Sequence, residues 1–146
     1  MKALKYQIGI WGLLLLTFVV TSGSMPIQKK YGTLRVYQKS SFQQSRFSLQ
    51  INNRVVAKPL RNRSWFEVKI PEGVHEIKTV PTMRYSAFDG RSYEFKVEAG
   101  KPYYLEAVVE YEFFVSKMYL IEREEAEAEK HIQRFKKDEK ALTFVD

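Results

Sequence analysis

Short runs of alternating apolar and polar side chains, each closed by a Gly, Pro or Asn turn, recur from Thr33 to Ile121. Alternation at period two places every second side chain on one face, so each run reads as a strand with one buried side. Thr33 to Tyr37 opens the series. Phe47, Leu49 and Ile51 follow, and Asn52-Asn53 can take the left-handed conformations of a tight hairpin turn before Arg54 to Ala57 returns. Trp65 to Ile70 places Phe66, Val68 and Ile70 on one face. Pro71-Glu72-Gly73 then supplies a fixed φ followed by a permissive one, and His75 to Val80 is the returning strand. Tyr93, Phe95 and Val97 alternate again, Ala99-Gly100-Lys101-Pro102 turns the chain into Tyr103 to Val109, and a last strand from Phe113 to Ile121 follows an acidic break around Glu110 and Glu112. Many short strands joined by such turns predict a mainly β fold: a single antiparallel β-sandwich of about seven or eight strands over residues 32–121.

Residues 122–142 change character. Glu, Ala, Lys and Arg dominate with no Gly or Pro, which predicts a C-terminal α-helix. Its acids gather in the N-terminal half and its bases in the C-terminal half, the order that the helix dipole favours. Ile121, Ala128, Phe135 and Leu142 recur every seventh residue with Ile132 beside them, a narrow apolar stripe that packs on the sandwich or pairs with another helix.

The start of the chain is different again. Lys2 and Lys5 precede an apolar run from Ile8 to Val20, which reads as a signal peptide or N-terminal membrane anchor over residues 1–24, followed by a linker at 25–31. At about 1.5 Å per helical residue the run falls short of a hydrocarbon layer of roughly 30 Å, so a cleaved signal fits better than a retained anchor. Thr21-Ser22-Gly23-Ser24 offers the small residues that cleavage requires. It also looks like a lipobox with Ser24 in the cysteine's place, and since the chain has no cysteine, conventional lipid attachment has no thiol to use. The expected location is the bacterial periplasm or cell envelope.

Charge is laid out unevenly. Between Met25 and Phe66 lie nine basic residues and no acid, whereas from Glu67 onward 13 bases face 17 acids. Two explanations stand: complementarity between neighbouring elements, or a basic face that meets anionic lipid or polysaccharide. An exported chain is not expected to bind nucleic acid.

Two turn motifs, Ile70-Pro71-Glu72-Gly73-Val74-His75-Glu76-Ile77 and Val97-Glu98-Ala99-Gly100-Lys101-Pro102-Tyr103-Tyr104-Leu105, together resemble a bacterial envelope family known as domain of unknown function 2846. More loosely they resemble PEGA-type small β-sandwich domains. The opening strand Leu34 to Tyr37 and the Leu120-Ile121 strand leading into an acidic helix are similar to the two ends of that family, so the likeness spans roughly Gly32 to Phe135. The resemblance implies a sandwich in the envelope, commonly carried by a lipoprotein signal, and no established activity.

Groups for catalysis are scarce: His75, His131 and three aspartates, Asp89, Asp138 and Asp146. His75, just after a turn, is expected to cap or pack that turn, and His131 to be solvated among helical charges. No metal-ligand spacing, nucleophile motif or phosphate-cradling glycine loop occurs. The chain is therefore expected to be a non-catalytic accessory or binding protein needing no cofactor or metal, with a membrane-tethered scaffold as the alternative. The loop from Pro81 to Arg91 carries the candidate ligand-binding residues Arg84, Tyr85, Phe88 and Arg91. These stack on a sugar or clasp a peptide, or else fold back over an open sandwich edge. An envelope protein, a polysaccharide or an anionic lipid surface are the partners such residues fit.

Overall fold

The computed structural model describes residues 29–39, 47–82 and 88–145, and for Phe88 and Asp89 the backbone alone. Residues 1–24, expected to be a signal peptide or membrane anchor, lie outside the described residues, as do Arg84 and Tyr85. Among the described residues no helix is long and apolar enough to cross a membrane.

The sandwich is present. Among the described residues ten strands form two sheets: β1 (Tyr31–Gln38), β2 (Phe47–Ile51), β3 (Arg54–Ala57), β4 (Ser64–Pro71), β5 (Gly73–Pro81), β6 (Phe88–Asp89), β7 (Arg91–Val97), β8 (Pro102–Glu112), β9 (Val115–Glu122) and β10 (Lys136–Lys137). Eight of these have four residues or more. The first sheet has the order β10-β4-β1-β8-β9-β6 and the second β3-β2-β5-β7. Leu34, Val36, Phe66, Val68, Ile70, Leu105 and Met118 from the first meet Leu49, Ile51, Ile77 and Val97 from the second in one buried cluster. The inward residues are those that the alternation selects.

Turn chemistry explains much of the connectivity. Asn52 and Asn53 both have positive φ, 49° and 64°, as a two-residue hairpin turn requires. At Gly90 the chain crosses from β6 in the first sheet to β7 in the second, and a Cβ there would collide with the Thr79 carbonyl oxygen. Thr79 is itself buried and links the layers: its Oγ1 accepts from the Arg91 amide at 3.0 Å and donates to the Met118 carbonyl at 3.1 Å.

Antiparallel pairing does not hold throughout. The four-stranded sheet is antiparallel, but in the six-stranded sheet β1 runs parallel to β8, β10 to β4 and β6 to β9. The chain repeatedly changes sheet between strands, so β1 and β8 meet as neighbours without a hairpin between them. Strand β1 begins at Tyr31, one residue before the expected start of the sandwich at 32.

The helix is shorter as well: α1 covers Glu125–Ile132, not 122–142. Its propensity continues further, but β4 would otherwise end the sheet with an unpaired edge, and such an edge attracts other chains. The tail leaves the helix to cover it. Lys136 N–H donates to the Arg63 carbonyl, Asp138 N–H to that of Trp65 and Val145 N–H to that of Lys69, while Lys69 N–H donates to Thr143. Ala141 and Val145 are buried in the main core.

The apolar stripe packs on the sandwich. Ala128 and Ile132 join Tyr37 and Tyr104 in a second cluster on the outer face of the six-stranded sheet, with Trp65 and Phe135 against it. Polar contacts fix the helix there. Arg35 pairs with Glu67 at 2.7 Å and with Glu129 of the helix, and donates to the Tyr104 hydroxyl at 3.0 Å. That hydroxyl lies 2.9 Å from a Glu125 oxygen and 3.1 Å from a Glu129 oxygen, which share its one proton. Beside it the buried Glu106 carboxylate is matched by Lys39 and Arg123. Arg35 and Lys39 belong to the basic half and their partners to the acidic half. Complementarity thus accounts for these two cations.

Two expectations follow. Deleting residues 133–146 removes Val145 and Ala141 from the core together with several backbone hydrogen bonds, and lowers stability by about 3 kcal/mol or more in urea denaturation. It also exposes the β4 edge, so light scattering detects more association, not less; an unchanged midpoint would show the tail to be dispensable. The second concerns alkali. Burial first, then the bonds to Glu125 and Glu129, push the Tyr104 hydroxyl up to about 12. Burial and the charges of Glu106 and Glu127 bring Tyr37 to about 12 as well. Both lie above the ordinary tyrosine value of about 10, so the neutral forms stabilise the fold below that pH and the contribution disappears as pH rises through about 12. Circular dichroism is expected to show stability lost across this window, and a Tyr104→Phe protein to lose less there while being weaker by about 1 kcal/mol near neutrality.

Candidate functional site: the aromatic hairpin tip

Strands β8 and β9 pair from Leu105↔Glu122 to Glu112↔Val115, leaving Phe113-Phe114 as a two-residue turn. Both residues have positive φ, 42° and 70°. That is the geometry of a type I′ turn, where Asn-Gly is preferred because a β-branched or bulky side chain is strained there. The two phenylalanines are also 95% and 82% exposed, and Tyr111 beside them is 62% exposed. Tyr111 and Phe114 meet edge to face with centroids 6.5 Å apart. An exposed aromatic pair in a strained turn gains nothing for the fold.

The base of the tip is held firmly. A Glu112 carboxylate oxygen accepts from Lys117 at 2.6 Å and the other from the Tyr119 hydroxyl at 2.9 Å. The Lys117 bond, followed by that of Tyr119, holds the Glu112 carboxyl below its usual value, and the same pair raises Lys117. The Arg91 guanidinium lies over the Tyr119 ring, 5.5 Å from its centroid, and its buried Nε has no hydrogen-bond partner among the described residues.

The predicted loop therefore reaches this end of the molecule. The β6 backbone at Phe88 pairs with Ser116, two residues past the turn, and Asp89 pairs with Lys117. Arg91 is brought to the same surface through Tyr119. Arg84 and Tyr85 fall outside the described residues. Phe113 and Phe114 themselves were expected at the start of a strand, because the acids at 110 and 112 marked the break; β8 instead runs on through Glu112. The missed signal is length: Tyr103 to Ile121 holds no Gly, Pro, Asn or Asp, yet is too long for one ordinary strand of about 5 to 6 residues and must fold back near its middle.

The tip lies far from where the domain begins. Tyr31 accepts from Gly100 N–H at the β7–β8 turn, and β8 then runs for eleven residues, roughly 35 Å, toward Phe113. Pairing with β1 ends at Tyr37↔Glu106, so the last part of the β8–β9 arm extends past β1.

The histidines sit elsewhere. His75 is buried, with Nδ1 2.8 Å from the Asn52 amide nitrogen and Nε2 2.8 Å from the Pro71 carbonyl, so Nε2 donates and Nδ1 accepts. Both nitrogens thus tie neighbouring turns together, as a capping role requires. His131 is not solvated among charges but half-buried, stacked on Tyr37 with centroids 5.7 Å apart and tilted against Phe135. Among the described residues no group of three His, Cys, Asp or Glu side chains converges on a metal-sized site.

Strain at the tip is measurable. Replacing Phe113-Phe114 by Asn-Gly places preferred residues in the same turn and is expected to raise stability by about 1 to 2 kcal/mol, read as a higher denaturation midpoint. A loss of stability would mean that the rings contribute packing to the fold.

A scan against protein-family models and a search of curated proteins find no match to this chain.

Proposed function

We propose that this is a non-catalytic binding protein of the bacterial cell envelope that presents the Phe113-Phe114 tip to a partner protein. The observation that carries the reading is the combination of strain and exposure at one turn. Aromatic side chains dominate binding energetics because they bury large apolar area at little cost in side-chain entropy, and strain kept at a surface position is a mark of function.

Geometry favours a protein over a lipid surface. Glu110, three residues before the tip, is exposed, which disfavours an anionic bilayer. The tip also points away from the end at which the N-terminal segment joins the domain, so a retained anchor would hold it off its own membrane. The envelope location rests on the signal-like residues 1–24 and on the resemblance of the Pro-Glu-Gly and Ala-Gly-Lys turns to the envelope family. A non-catalytic role is supported by His75, whose two ring nitrogens are already engaged. The scaffold alternative gains no support from the helix, whose apolar residues Ala128 and Ile132 are buried against the sheet.

A photo-reactive phenylalanine analogue at position 114 of the full chain, expressed in envelope-containing cells, tests the reading. One discrete protein adduct is expected. Excess wild-type protein suppresses it, and the Asn-Gly variant competes roughly 30-fold less well, the consequence of losing about 2 kcal/mol or more at an aromatic hot spot. Adducts to lipid or glycan in place of protein, or equal competition by the variant, would refute it.

A further inference from the structure

A second surface breaks a different local rule. The turn before β4 and the tail around β10 enclose a cleft of about 420 Å³. Arg61 and Arg63 line one wall and Lys136, Lys137 and Lys140 the other, although the two segments are more than seventy residues apart in sequence. Two carboxylates, Asp138 and Glu139, share the lining. One Asp138 oxygen already accepts from the Lys140 amide at 3.1 Å. Unlike Arg35 and Lys39, the five cations form no ion pair among the described residues.

The backbone holds these like charges together. Lys136 pairs directly with Ser64 in parallel register, and its amide donates to the Arg63 carbonyl at 3.1 Å. Arg63 has a φ of 51°, a left-handed conformation that Arg seldom adopts, and the Ser64 hydroxyl closes the turn on the Arg61 carbonyl at 2.7 Å. Asp138, Glu139 and the Trp65 ring, 5.1 Å below the Lys137 ammonium, offset part of the self-repulsion, and the remaining excess of positive charge favours an anion in the cleft. Paired guanidinium forks with flexible ammonium groups opposite suit tetrahedral oxyanions, to which Arg donates in bidentate fashion. The volume falls within the range of small-molecule pockets, about 300 to 1,000 Å³.

We infer that this cleft binds a phosphate-bearing group, a phosphomonoester or diphosphate, carried either by a soluble molecule or by a lipid headgroup. The site is independent of the aromatic tip, and either assignment can fail without the other.

The test is calorimetric titration of the full chain in neutral detergent with inorganic pyrophosphate and, separately, with dioctanoyl phosphatidic acid in the same micelles. Saturable binding at one site, weakened by salt, is expected. Arg61→Gln with Arg63→Gln lowers affinity at least about tenfold, and so does the independent pair Lys136→Gln with Lys140→Gln. Arg63→Lys keeps the charge but loses the fork, and falls between wild type and the double variant. Arg54→Gln, at the start of β3 and outside the cleft, leaves affinity unchanged. Tighter binding of pyrophosphate identifies a soluble source, and tighter binding of phosphatidic acid a headgroup. Absence of saturation up to about 10 mM of either probe, or an equal loss in Arg54→Gln, overturns the proposal.

Discussion

Strand β1 is the constraint on which the other elements depend, because it lies between an antiparallel neighbour, β4, and a parallel one, β8, and both of its faces are covered. Leu34 and Val36 point into the main core. Arg35 and Tyr37 point the other way, where they meet the helix. Arg35 can bridge Glu67, Tyr104 and Glu129 because the β1 register sets it opposite both Glu67 and Tyr104. Burial of the guanidinium works to lower its pKa, but the Glu67 bond and the charges around Tyr104 and Glu129 outweigh that effect and raise it. A cation so partnered stays charged and gives the acidic first turns of the helix a fixed place to dock. With β1 flanked on both sides, β4 is left outermost, and the tail supplies the backbone partners that it lacks.

Strand alternation made most of the fold legible. The inward sets Phe66, Val68, Ile70 and Leu49, Ile51 are visible because burial on one face leaves a period of two, and the Asn52-Asn53 turn because its side chains tolerate positive φ. Parallel pairing of β1 with β8 was not legible. It depends on which sheet each strand joins, and hydrophobic period carries no record of that. Helix propensity over residues 133–142 was outweighed by the open β4 edge, a long-range demand that local composition cannot express. At the candidate site the backbone at Phe88 and the Arg91 side chain come to the end that the tip occupies, whereas the Phe113-Phe114 turn lacks every residue by which turns are recognised.

Two places in the molecule set local preference against global structure: a bulky pair in a type I′ turn and five cations around one cleft. Sequences that fold well usually agree at all levels, and disagreements gather where function requires them. Both places lie toward the same end of the sandwich, since Ser64 pairs with Gln38 at the far end of β1 and the β8–β9 arm continues beyond it. The end that receives the N-terminal segment carries the Gly100 and Gly73 turns, both at positive φ, where glycine is the preferred residue. The molecule is thus polar along its strands, with well-suited turns near the N-terminal segment and strained or charged features at the opposite end.

That an unsupported aromatic turn stands at the far end is the claim on which the functional account rests, and nuclear magnetic resonance of the free protein tests it directly. Couplings within Phe113 and Phe114 are predicted to report positive φ at both, and the Phe113 ring to show no long-range proton contacts. Negative φ at Phe113 together with contacts from its ring to β6 or to the core would contradict the account, because the tip would then be folded over the sandwich edge.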